Sequence, residues 1–94
     1  MIYKFQGYVV HAHMLSSLEE YVKVGRPVGD FLTAVLANDF QEACGRADET
    51  NLGNLPAFAA WVYNQCPQEA HGSHERVKAW IKRCGLQGQG ANDE

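Results

Sequence analysis

The chain has 94 residues, 46% hydrophobic and 20% charged, with a formal net charge of −3 and a pI near 5.7. That is one small domain, and the composition excludes disorder of the whole chain. The negative balance argues against direct nucleic-acid binding, which needs a basic surface. No apolar run approaches the ~20 residues of a membrane helix.

From the N-terminus, Ile2 to His11 reads as two short strands, IYKF and YVVH, around a Gln6-Gly7 turn in which glycine permits positive φ. An isolated hairpin is marginal in water, so it must pack on the helices or pair with a second copy. Met14, Leu15, Leu18, Tyr21 and Val22 follow helical spacing and predict a first helix over 13–23, stopped by Gly25. Pro27 suits the first position of the second helix, where a missing N–H costs nothing. Val28, Phe31, Leu32, Val35 and Leu36 form its inner face. An Asn38-Asp39 break follows. Asp39 is expected to cap the third helix with Glu42 as its capping-box partner, and Phe40, Ala43, Cys44 and Ala47 to form the inner stripe.

A fourth helix carries Leu52, Leu55, Phe58, Ala59 and Val62. Asn51 is placed to cap it, and Pro56 restricts its start. Trp61 and Tyr63 lie off its main stripe, which leaves them partly exposed unless the hairpin covers them. Pro67 to Gly72 is a loop. Ser73 caps the fifth helix, with Val77, Trp80, Ile81 and Cys84 as its stripe and Gly85 as its stop. The expected fold is mainly α: a bundle of about five short helices with an N-terminal hairpin, one domain over 1–86, and a flexible polar tail over 87–94.

Chemistry-bearing constellations are sparse. Cys44, Cys66 and Cys84 make an odd count without a secretory leader, which fits free thiols in a reducing cytoplasm. Cys44 and Cys84 fall on apolar helix faces. Cys66, His71 and His74 offer thiolate and imidazole to zinc, but their spacing matches no zinc signature, so loop and cap-flanking roles are expected and no metal or cofactor is called for. Glu19-Glu20 and Asp48-Glu49 are adjacent pairs, which do not face each other on a helix. Helices two and three superficially suggest a helix-turn-helix, yet Asp39, Glu42, Asp48 and Glu49 outweigh Arg46 there, the reverse of a phosphate-facing helix. The polar string Arg46, Asp48, Asn51, with Trp61, Tyr63, Asn64 and His71, is the candidate binding site. Arg46 and Asp48 are placed to form a local ion pair, and exposed aromatics near arginine are typical of interface hot spots.

Several words of the sequence are distinctive: Gly25-x-Pro27-x-Gly29, the run Phe31-Leu32-x-Ala34-Val35-Leu36, Arg46-Ala47-Asp48, Tyr63-Asn64, and Gly72-Ser73 opening a helix that ends in Trp80-Ile81. Over about Tyr3 to Ile81 this pattern resembles a family of small uncharacterised proteins of phages, prophages and other mobile elements of proteobacteria. His71 stands where such proteins often carry tryptophan. The resemblance implies a genomic setting and no activity. The resulting expectation is a non-enzymatic accessory protein that binds a host or phage protein, with counter-defence against a nuclease-based immunity system as one such role. The alternatives are an oligomer, joined through its hairpins, that sequesters a small ligand such as a nucleotide, and a minor metal or cysteine enzyme.

Overall fold

The computed structural model describes residues 1–92, with side chains through residue 88. It is mainly α, with a two-stranded antiparallel hairpin at the N-terminus. Strands β1 (Tyr3–Phe5) and β2 (Tyr8–Val10) pair Tyr3 with Val10 and Phe5 with Tyr8. Gln6 and Gly7 between them both have positive φ, 50° and 87°. Two such residues in succession make the turn whose twist suits a hairpin.

Helix α1 (Ala12–Val24) ends at left-handed Gly25. Helix α2 (Asp30–Leu36) begins later than the Pro27 start expected from sequence. The Thr33 amide donates to the Gly29 carbonyl and its hydroxyl to that of Val28, so the first turn closes around Gly29 and leaves Pro27 outside. At its other end Asn38 takes φ 60°, its amide donates to Val35 and the Asp39 amide to Ala34. These two bonds form the Schellman closure of a helix end, with asparagine tolerating the left-handed position.

Asp39 caps α3 (Phe40–Arg46) by accepting the Glu42 amide. The Glu42 carboxylate itself accepts from Arg46 Nε, so only the Asp39 half of the expected capping box is present. Of the expected inner stripe, Ala43 is buried and Cys44 and Ala47 half-buried, but Phe40 is 73% exposed. The first turn of this two-turn helix projects it away from the core.

The expected fourth helix is two, α4 (Glu49–Gly53) and α5 (Leu55–Gln65). Asn54 divides them. Its Oδ1 accepts the Val9 amide of β2 and its Nδ2 donates to the Thr50 carbonyl. Asp48, not Asn51, caps α4, and the amide it caps is that of Asn51. The division turns Leu52 and Ala59 outward and buries Ala57, Phe58, Ala60, Trp61 and Val62.

A 3-10 turn at Gln68–Ala70 leads to α6 (His74–Lys82), capped by Ser73 through the Arg76 amide. The helix ends at Lys82, before Cys84 and Gly85. Both of those have positive φ, and Gly85 opens α7 (Gly85–Asn92) instead of closing α6. Cys84 is therefore exposed and off the α6 stripe. The stretch read as a polar tail carries α7, which lies against α1; its last two residues, 93 and 94, fall outside the described ones.

The core joins all these elements except α4 and α7, with Trp80, Tyr21, Phe58, Leu18 and Leu36 its largest fully buried side chains. Tyr21 is its polar hub. Its hydroxyl donates to the Ala70 carbonyl at 2.6 Å, and its own carbonyl accepts from Trp80 Nε1 at 2.8 Å and the Gly25 amide at 2.9 Å. Both aromatic polar atoms are thus satisfied, as burial requires. Arg83 lies over the Trp80 ring at 4.3 Å, a cation–π distance. Phe31 and Phe58 meet edge to face at 5.1 Å. No helix of the described residues is long and apolar enough to cross a membrane.

Candidate functional site

The residues singled out in the sequence separate into two groups. Most of the polar string is occupied in holding the fold. Arg46 bonds Glu42 at 2.8 Å and approaches Asp30 at 3.5 Å, in place of the expected pairing with Asp48. The Glu42 contact, first of these, raises the Arg46 pKa. Asp48 and Asn51 form the α4 cap. Asn64 Nδ2 donates to the Tyr3 hydroxyl, tying α5 to β1. Trp61 is only 4% exposed, on a helix against which the hairpin packs.

Tyr63 and His71 behave differently. Both line a groove of about 570 Å³ between the α2–α3 corner and α5. Ala34, Val35, Leu36, Phe40 and Ala43 form one wall, and Leu55, Pro56, Phe58, Ala59, Val62 and Tyr63 the other. Asn38, Asp39, His71 and Gly72 supply the few polar groups. The corner is fixed in place by the Gly72 amide, which donates to the Leu36 carbonyl at 2.8 Å. Two aromatics of the groove stand out in solvent, Phe40 at 73% and Tyr63 at 86% exposure. Sequence periodicity assigned Phe40 to the core, so this half of the site was missed. The available signal was the four-residue offset of Phe40 from Leu36 across the Asn38 break, which separates the two helical faces.

Electrostatics at the groove are simple. His74 Nε2 donates to Asp39 Oδ2 at 2.9 Å. That bond, with the Glu42 amide, holds the Asp39 carboxyl below its usual range. Burial, then the nearby Arg76 charge, lowers the His71 pKa and favours its neutral form; Arg76 also donates to the His71 carbonyl. His74 is thus directed to Asp39, not to Cys66 or His71.

Cys66 is buried, and burial pushes its thiol up to about 12, which suppresses the thiolate that nucleophilic attack or metal ligation requires. Among the described residues no three histidine, cysteine or acidic side chains are grouped to hold a metal ion. The groove's chemistry is that of a surface which desolvates apolar groups, with polar atoms at one end to orient them. Comparison with models of known protein families, with curated proteins and with solved structures finds no match.

Proposed function

We propose that this chain is a small non-enzymatic accessory protein that acts by binding another protein through the groove between the α2–α3 corner and α5. The observation that carries the reading is the pair of exposed aromatics, Phe40 and Tyr63, on an apolar groove. Large aromatics beside a desolvated pocket are the usual anchors of protein interfaces, and a small domain gains nothing for its own stability by leaving them in water. The resemblance to phage and mobile-element proteins, carried by Gly25 to Leu36, Arg46 to Asp48 and Gly72 to Ile81, supports a host or phage protein as the partner, in a bacterial cytoplasm. Inhibition of a nuclease-based defence system is one role of that kind.

A small apolar ligand is the second reading, favoured by a groove volume within the range of roughly 300–1,000 Å³ typical of ligand sites. A nucleotide fits less well. The groove lining contains no lysine or arginine, and Arg46 is engaged by Glu42 and Asp30.

The test is co-purification from bacterial lysate with tagged wild type and with Ala59→Glu, which places a charge in the groove at an exposed helix position. The reading expects a partner recovered by wild type and depleted at least about tenfold in the variant, as for a central interface position. Equal recovery by both proteins contradicts it.

A further inference from the structure

The two walls of the groove differ in chemistry. Helix α5 has no charged residue along its length, although Ala59 and Tyr63 are exposed. A helix without a charged face belongs between other elements, not at a surface. The α2–α3 wall, Asp30 to Arg46, carries three carboxylates and one guanidinium. That guanidinium, Arg46, already bridges Glu42 and Asp30. Asp39 carries negative charge into the groove lining itself. The occupant therefore meets an uncharged helical wall on one side and a net-acidic α2–α3 corner on the other, with the Arg76 guanidinium beside His71 and Gly72 and His74 on Asp39 at one end.

Both walls are made of helices, and no strand residue lines the groove, so an extended peptide finds no sheet edge to extend. The eleven residues of α5 span about 16 Å, three turns of a helix laid alongside. Ala59 in the middle of that wall is small enough to let a second helix approach closely.

We propose that the groove receives an amphipathic α-helix of a partner protein, its apolar stripe seated between Phe40 and Tyr63 and its Lys/Arg-bearing flank turned toward the acidic α2–α3 wall. The inference rests on the reading of the groove as a protein-binding site. Among the described residues, a second copy of this chain does not supply such a helix. Its own basic helix, α6, carries Arg76, Lys78 and Lys82, but the apolar residues of that helix, Val77 and Trp80, are buried in the core.

The experiment is selection of a random-peptide display library, long enough for about three helical turns, on immobilised wild-type protein. Enriched peptides are then synthesised and titrated against wild type, Ala59→Glu and Tyr63→Ala, each checked for an unchanged melting curve. The expected consensus has apolar residues at i, i+3 or i+4, and i+7 with an excess of lysine and arginine. The bound peptide gains helical circular dichroism. Affinity falls at least about tenfold in Ala59→Glu, as at a hot-spot centre, and weakens with added salt. A proline-rich or otherwise extended consensus, no basic excess, or no enrichment overturns the inference. If such peptides still lose affinity in Ala59→Glu, the groove remains the binding site and only the helical occupant is wrong. If enriched peptides bind wild type and both variants equally, the groove reading falls as well.

Discussion

Tyr21 shows how one side chain can close a small core. Its hydroxyl joins α1 to the 3-10 turn and its carbonyl joins α1 to Trp80 of α6. Tyr21→Phe removes the donor and leaves the buried Ala70 carbonyl without it, and is expected to destabilise by about 1–3 kcal/mol in urea unfolding; a change below about 0.5 kcal/mol, the scatter of a neutral substitution, contradicts that role. The thiols give a second check. Cys84 is exposed, Cys44 half-buried and Cys66 buried with its thiol pushed up to about 12. Alkylation followed by mass spectrometry should therefore label Cys84 first and Cys66 last, the latter only as fast as the fold opens.

Local signals made part of the residue-scale picture legible. The Gln6-Gly7 turn and the Asp39 and Ser73 caps follow from chemistry within a few residues. Trp61 is the counterexample: it lies off the apolar stripe of its helix yet is buried in the folded chain, which no helical period reports.

Elements are set by the points where they break. Asn54 divides α4 from α5 because Val9 supplies its partner 45 residues away, a distance over which sequence patterning carries no signal. Phe40 is exposed for a related reason: α3 starts anew after Asn38, so the α2 stripe does not continue into it. Two predictions belong here. The Asp39–His74 bond ties the start of α3 to the start of α6. Asp39's folded pKa lies below the unfolded value of 3.8, so its contribution is present above that value and disappears as pH falls through the lower folded one. The stability gap between wild type and Asp39→Asn, which retains a good cap, should be full at pH 6 and shrink below about pH 4. A gap that is constant down to pH 2 contradicts this.

The second concerns the α1–α6 joint. Gly25 has φ +71°, and a Cβ there would come within 2.9 Å of the Gly85 nitrogen and 3.0 Å of the Trp80 oxygen. Gly25→Ala should cost more than about 2 kcal/mol in urea unfolding, from left-handed strain and backbone collision together.

At the scale of the whole molecule, the class of fold was readable from the sequence: a mainly α domain with an N-terminal hairpin. The groove was not, because its two walls come from helices that meet only in the folded chain and one of its two exposed aromatics, Phe40, fits the pattern of a core. Of the residues selected as a binding site, Tyr63 and His71 line the groove, while Arg46, Asp48, Asn51 and Asn64 are bonded within the fold and Trp61 is buried. Polar side chains in a helical domain this small are largely taken up by caps and element joints. What remains exposed along the groove is mainly apolar.

The most direct measurement is site-specific photo-crosslinking in living bacteria, with p-benzoylphenylalanine placed at Tyr63 in the groove and, separately, at exposed Tyr8 on the hairpin. The account predicts a discrete higher-mass adduct from position 63, lost when Ala59→Glu is added, and none from position 8. An adduct from position 8 alone, or one from position 63 that persists in Ala59→Glu, would show that the groove is not where this protein binds.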